Sequence, residues 1–185
     1  MLAVFVAAGS SAAQAQRRDC FTDAEVELIR DAQDIDLRIK VLTHAIDRRF
    51  AVIKVNVAAT DLKESDKWGP PPTGTRVDLL FDIKRILQKA IDDIDDTATH
   101  AGTTMARTPE NPNRKDKAEP PFARAMHALA AAAKRYKSAL NTEIAAARDP
   151  KEKGPMLDSI DFCDQILEAE AKVAAEPAKP SGKNR

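Results

Sequence analysis

The sequence contains little glycine and no surplus of charge of either sign, and each shortage argues against a class of protein. Only 6 of its 185 residues are glycine, which leaves little material for the tight turns of an all-β fold or for a phosphate-binding loop. The 29 Lys and Arg residues are balanced by 29 Asp and Glu residues. Because nucleic-acid binders gather an excess of basic side chains on one surface, this balance predicts no nucleic-acid partner.

Motifs for catalysis and cofactor binding are also missing. The sequence has no Gly-x-Ser-x-Gly nucleophile elbow, no Cys-x-x-Cys-His haem attachment motif and no His-Glu-x-x-His zinc motif. The segment from Gly69 to Gly74 is interrupted by three prolines and is not followed by the lysine of a phosphate-binding loop. We therefore expect a protein that is not an enzyme and that has no catalytic residue, cofactor or resident metal.

Residues 1–15 predict a secretory signal peptide. An uncharged apolar run over residues 2–8 precedes Ala13-Gln14-Ala15, the small-x-small pattern that signal peptidase recognises. A buried N-terminal helix is the alternative interpretation. The apolar run is too short to span a bilayer, which takes about 20 residues. We expect an exported protein, periplasmic or extracellular, whose mature chain starts at Gln16 and has no membrane span.

The mature chain has the apolar periodicity of amphipathic helices. Thr22 and Glu25 form a capping-box pair, which predicts a short helix from Asp23. Four longer stripes follow, with apolar residues three or four positions apart: Ile35, Ile39, Leu42, Ile46, Phe50, Ile53 and Val57; Leu80, Ile83, Leu87, Ile91, Ile94, Ala98 and Ala101; Phe122, Met126, Leu129, Ala133, Tyr136, Leu140 and Ile144; Met156, Ile160, Cys163, Leu167, Ala171 and Ala174. These stripes predict an all-α fold, an antiparallel bundle of four long helices with a short N-terminal helix.

Prolines, glycines and polar segments divide this bundle. Thr75 and Asp78 predict the start of the third helix and Gly102 its end, while Gly154-Pro155 is expected to open the last helix. Pro-rich linkers cover residues 59–75 and 103–121, and residues 176–185 predict a disordered tail because they have no apolar anchor. The bundle domain is thus expected over residues 16–175.

One segment, residues 52–57, is β-branched and partly alternating, which favours a strand. A strand there finds no partner elsewhere in the chain, so we predict that the second helix continues to Val57.

The stripes carry no charged residue at their central positions, which predicts an apolar interior with one phenol and one thiol. His44, His100 and His127 all fall off the stripes. The most suggestive polar segment runs from Asp92 to His100, where Asp93, Asp96 and His100 share an outer face. It is either a solvated face with a Lys89–Asp93 ion pair or a cation site built from carboxylates.

Two further features concern the cysteines and the single tryptophan. An exported protein with an even number of cysteines favours a disulfide, here between Cys20 and Cys163. The alternative is a buried Cys163 and a free Cys20. Trp68 lies in the first Pro-rich linker, where it either caps the end of the bundle or serves as an exposed recognition anchor.

Two stretches resemble a group of uncharacterised bacterial proteins that carry signal peptides and that we expect to be small helical bundles. The first covers residues 22–34, with Arg38-Ile39-Lys40-Val41-Leu42 and Asp47-Arg48-Arg49-Phe50 after it. The second covers residues 86–98, followed by the Ala-rich helix and residues 158–171. The resemblance implies an exported helical domain and brings with it no activity, cofactor or catalytic residue.

From the sequence we expect an exported, non-enzymatic helical bundle that serves as a structural or protein-interaction module of the cell envelope, with a protein partner of unknown identity. The alternative is a bundle that binds a ligand or cation through the acidic face from Asp92 to His100.

Overall fold

A computed structural model describes residues 18–57, 66–101 and 120–175. Within these residues the chain is helical and has no strand, so the predicted all-α class is confirmed. The elements are α1 (Asp23–Asp31), α2 (Ile35–Val52), a 3-10 turn (Asp66–Trp68), α3 (Arg76–Ala101), α4 (Pro121–Ala146) and α5 (Pro150–Ala175). The predicted signal peptide at 1–15, most of the linker at 103–121 and the tail at 176–185 lie outside the described residues.

Two helix starts form as the sequence predicts. At α1 the Glu25 N–H donates to the Thr22 hydroxyl at 3.3 Å, and the Thr22 N–H donates to the Glu25 carboxylate at 3.0 Å. At α3 the Thr75 N–H donates to the Asp78 carboxylate at 2.9 Å, and the Asp78 N–H donates to the Thr75 hydroxyl at 3.2 Å. Each reciprocal pair satisfies backbone donors that a helix start would otherwise leave without partners.

The four long helices alternate in direction along the chain. Arg76, at the start of α3, donates to the Ile53 carbonyl just after α2, at 3.0 Å, so α2 and α3 are antiparallel. Arg124 near the start of α4 pairs with Asp36 near the start of α2 at 3.1 Å, so these two helices are parallel. The helices α2 and α5 each pack on both α3 and α4. In cross-section α2 therefore lies diagonally opposite α5, and α3 lies diagonally opposite α4.

The core is made of the residues in the predicted stripes. Ile39, Ile46 and Phe50 of α2 and Ile83 and Leu87 of α3 are fully buried, as are Tyr136, Leu140, Met156 and Cys163 of α4 and α5. Each buried Leu, Ile, Phe or Met contributes roughly 1.5–3 kcal/mol. The Tyr136 hydroxyl donates to the Thr43 carbonyl at 2.8 Å, so its polar atom is satisfied inside the core.

Helix α2 is shorter than predicted, because it ends at Val52 and residues 53–57 are neither helix nor strand. The Val55 N–H donates to the Phe50 carbonyl at 2.9 Å, and the Lys54 N–H donates to the Ala51 carbonyl at 3.1 Å. With Lys54 at φ 60°, this is a Schellman motif. The prediction of a helix to Val57 is wrong because a lysine occupies the left-handed position that usually goes to glycine.

Helix α5 begins at Pro150, four residues before the predicted Gly154-Pro155 start. The Asp149 carboxylate accepts a hydrogen bond from the Lys151 N–H at 2.9 Å, and proline is well suited to the first helical position. Pro155 therefore lies inside the helix. The connection from α4 is correspondingly short, residues 147–149, as expected for antiparallel neighbours.

None of the helices in the described part of the chain is long and apolar enough to cross a membrane.

Candidate functional site

The interior contains a cluster of charged side chains that the sequence did not predict. Glu25 is 0% exposed, Arg49 1%, Asp82 3% and Arg48 4%; we call these four residues the charged cluster. The prediction of an interior without charge is wrong here. Arg48 and Arg49 lie on the side of α2 that α1 and the segment around Trp68 cover, and α1 brings Glu25 to them.

Glu25 is the centre of the charged cluster. Its carboxylate accepts from Arg49 through two nitrogens, at 3.0 and 2.8 Å, and from Arg48 at 2.8 Å. The Thr22 N–H is its fourth donor. Burial acts to raise the pKa of Glu25, but the hydrogen bonds and charges of the two arginines outweigh burial and hold that pKa below its usual range.

The two arginines also fix the backbone around them. Arg48 donates to the Gly69 carbonyl at 3.0 Å and the Pro70 carbonyl at 2.7 Å. Arg49 donates to the Ala45 carbonyl at 2.6 Å and to the Cys20 carbonyl. Because one set of guanidinium donors holds a helix, the N-terminal segment of residues 18–22 and the 69–70 turn, the cluster joins three separate parts of the chain.

Trp68 lies against this cluster. Its ring centroid is 4.2 Å from that of His44 and 5.6 Å from the Arg48 guanidinium carbon, and the side chain is 5% exposed. Trp68 therefore packs against the bundle and is not an exposed anchor. His44, which falls off the apolar stripe, is buried by this contact. Gly69 has φ +61°, and a Cβ there would lie 3.0 Å from the Ala24 Cβ, so a side chain at this turn would be strained.

Asp82 lies at the outer edge of the charged cluster. It pairs with Arg18, and its Oδ2 lies 3.8 Å from Arg49 Nε. Arg85 donates to the Arg18 carbonyl at 2.8 Å and holds the same N-terminal segment. Burial raises the pKa of Asp82 more than Arg18 and Arg49 lower it. A surface cleft of about 490 Å³ runs beside this segment, lined by Arg18, Asp19, Cys20, Phe21, Thr22, Asp23, Ala24, Arg49, Pro70, Pro72, Thr73 and Gly74.

Cys20 and Cys163 are both buried free thiols, so the predicted disulfide is not formed in the structure. Cys20 lies beside the charged cluster, and burial raises its pKa. Cys163 lies in the core, where burial raises its pKa to about 12. This agrees with the alternative of a buried Cys163, with the addition that Cys20 is buried too.

The acidic face of α3 is a solvated helix surface with local pairs. Lys89 Nζ lies 3.1 Å from Asp93 Oδ1, and His100 Nδ1 lies 3.1 Å from Asp96 Oδ1. Asp92 accepts from Gln88 at 2.8 Å. Among the described residues no three His, Cys, Asp or Glu side chains are grouped to hold a metal ion. His127, off its stripe as predicted, pairs with Glu170 at 3.2 Å.

An open groove of about 200 Å³ lies between the C-terminal halves of α3 and α5, with α4 as its floor. We call it the acidic groove, and its lining residues are Ile91, Ile94, Asp95, Met126, Leu129, Gln165, Ile166 and Ala169. The stripes placed several of these residues in the core. The groove could not be predicted from the sequence, because its presence depends on how three helices pack together. The apolar stripe of one helix carries no information about that packing.

Comparisons of the chain with protein-family models, with curated proteins and with solved structures find no match. The placement of the side chains is therefore the basis on which a function is assigned.

Proposed function

We propose that this chain is an exported helical bundle that serves as a structural or protein-interaction module of the cell envelope and not as an enzyme. The observation that carries the proposal is the acidic groove, where Ile91 and Ala169 are partly exposed beside Ile94 and Ile166. Apolar surface that remains open on a folded bundle is typical of a binding surface for another protein.

The charged cluster supports a structural role for the other end of the bundle. Its carboxylate Glu25 accepts four hydrogen bonds, and the arginines donate their remaining bonds to backbone carbonyls. Buried charges that bind one another in this way fix the position of the elements that carry them. The cluster thus holds α1, the N-terminal segment and the turn after Trp68 in place.

The contacts of the N-terminal segment are compatible with removal of residues 1–15. Arg18, only two residues after Gln16, already pairs with Asp82. A mature chain that starts at Gln16 keeps every contact described above. We expect the protein in the cell envelope or the medium to have the mass of a chain starting at Gln16. A cytosolic protein that retains residues 1–15 would contradict export.

Site-specific photocross-linking tests the interaction role. A photoreactive side chain is placed at Ala169, in the groove, and for comparison at Glu27, on the exposed side of α1. Irradiation of cells that produce either variant is expected to give one discrete heavier product from position 169 and none from position 27. No product from position 169, or the same products from both positions, would contradict the proposal.

A further inference from the structure

We propose that the acidic groove binds a basic amphipathic helix of a partner protein, laid between α3 and α5. The inference rests on the proposed function and names the chemistry of the partner.

The floor of the groove is suited to apolar side chains. Met126 and Leu129 of α4 are buried at its floor, and Ile94 and Ile166 are nearly buried beside them. Val173, one turn after Ala169 on α5, is 38% exposed and extends the apolar surface. A cavity of about 150 Å³ holds one benzene molecule. The groove of about 200 Å³ therefore takes one large aliphatic or aromatic side chain, and the surface near Val173 takes the next one along a helix.

The banks of the groove are negatively charged. Helical spacing sets Gln88, Asp92, Asp95 and Thr99 in one row on α3, and Asp161, Gln165, Glu168 and Lys172 in one row on α5. Asp92, Asp95, Asp161 and Glu168 are exposed and have no ion pair with any basic residue that the structure describes.

Four other carboxylates on α3 and α5 are paired with lysines. Asp93 pairs with Lys89, and Asp158 with Lys84. Asp164 pairs with Lys137 and Glu170 with Lys134. Asp92, Asp95, Asp161 and Glu168 thus give the two banks a net negative charge even with Lys172 at the end of the α5 row, and a ligand in the groove would meet that charge.

The shape of the groove favours a helical ligand over other basic ligands. The helices α3 and α5 run parallel, because Arg76 and Glu152 pair at 3.2 Å near both helix starts and Lys84 and Asp158 pair at 2.6 Å about two turns further along. Each bank is twelve residues long and so extends about 16 Å, or three helical turns. A helix with apolar residues at i, i+3 and i+4 lays one face on such a floor, and lysines beside that face reach the carboxylates on both banks. The same carboxylates repel anionic membranes and nucleic acids.

Binding of synthetic peptides to the mature full-length chain tests this. Three peptides of equal length are compared by calorimetry: a helix of leucine on one face and lysine on the other, the same helix with glutamate for lysine, and a lysine-glutamine helix without an apolar face. Only the leucine-lysine peptide is expected to bind, with an affinity that falls as salt is raised. Equal binding of the lysine-glutamine peptide would show general attraction to an acidic surface and would overturn the proposal.

Two variants locate the binding site. Ala169→Leu fills the groove and is expected to weaken binding about tenfold. Asp95→Asn with Glu168→Gln is expected to weaken it about tenfold at low salt and much less at high salt. The matched control is Glu27→Gln with Asp31→Asn on α1, which removes the same charge and should leave the affinity unchanged. Affinities that fall equally in the control overturn the assignment to the groove.

Circular dichroism confirms that each variant is folded. If Ala169→Leu does not fold, the Asp95/Glu168 variant still tests whether the peptide binds at the groove. Both of its altered side chains are exposed, so it is expected to fold. A cross-link at position 169 without binding of the leucine-lysine peptide overturns the basic partner and leaves the interaction role. If there is neither a cross-link at position 169 nor binding of the leucine-lysine peptide, the proposed function is overturned as well.

Discussion

The two ends of the bundle place charge in opposite ways. At one end the charged cluster buries two arginines and two carboxylates between α1, α2 and α3. At the other end the carboxylates beside the acidic groove remain in water, and apolar side chains are left partly open between them. The first end therefore binds its charged groups within the chain, with Arg49 Nε left without a hydrogen bond, whereas the second end keeps exposed carboxylates and open apolar surface.

This difference implies unequal tolerance to substitution. A buried charge that loses its partner retains the cost of leaving water, whereas an exposed carboxylate that loses a neighbour is still solvated. Single substitutions at the charged cluster should thus destabilise the fold, while substitutions around the groove should change binding and leave stability nearly unaltered.

The largest effect is expected from Glu25→Gln. The variant removes the carboxylate charge that both buried guanidinium groups bind, so the free energy of unfolding should fall by about 3–5 kcal/mol. Urea denaturation followed by circular dichroism measures it. The matched control is Glu27→Gln on the exposed side of the same helix, where the loss of the Arg30 pair should change stability by less than about 0.5 kcal/mol. Similar losses in both variants would show that the cluster is not the stabilising feature.

Trp68→Ala should have the next largest effect. It removes the ring that covers His44 and Arg48, and buried Trp→Ala changes cost about 3–5 kcal/mol, with the lower value expected at the edge of a core. Urea denaturation is the measurement here too. Phe81→Ala, at a ring that is 45% exposed on α3, is the control and should cost much less. Equal losses would place Trp68 outside the core.

Helix positions are predictable from this sequence because they depend on neighbouring residues, whereas the end of α2 shows where that fails. The capping pairs Thr22–Glu25 and Thr75–Asp78 and the apolar periodicity are local signals, and both appear in the structure. Lys54 ends α2 in a left-handed conformation without the glycine that normally marks such an end. The residue itself carried no signal for the turn.

The charged cluster escaped prediction for a different reason. Glu25 and Arg49 are 24 positions apart, so their contact is set by the packing of α1 on α2. One signal was available, because Arg49 lies three residues after Ile46 and four before Ile53 and so belongs to the stripe. A charged residue at a core position requires a buried partner, and the sequence alone does not say which carboxylate supplies it.

Asp82→Asn should produce a smaller, pH-dependent effect. The raised pKa of Asp82 means that the folded protein holds this proton more tightly than the unfolded one. The stability it contributes is present below its unfolded pKa of about 3.9 and is lost as pH rises through its folded pKa. The variant should therefore lose more stability than the wild type when acidified from about pH 7 to about pH 4. Urea titrations at both pH values measure this difference, and Asp31→Asn is the exposed control. Identical pH dependence in wild type and Asp82→Asn would contradict the prediction.

The smallest effect is expected from a reducing agent, which tests whether a covalent link joins the charged end to the core. Cys20 is held next to Arg49 and Asp82, and Cys163 lies inside the bundle, both as free thiols. A bridge between them would close most of the chain into one loop and would add about 4–5 kcal/mol in the chain-entropy model. The free energy of unfolding of the mature protein should thus be the same with and without reductant, and its mass under non-reducing conditions should be that of two thiols. A drop of several kcal/mol on reduction, or a mass two hydrogens lower without reductant, would contradict two free thiols and would show that a disulfide forms.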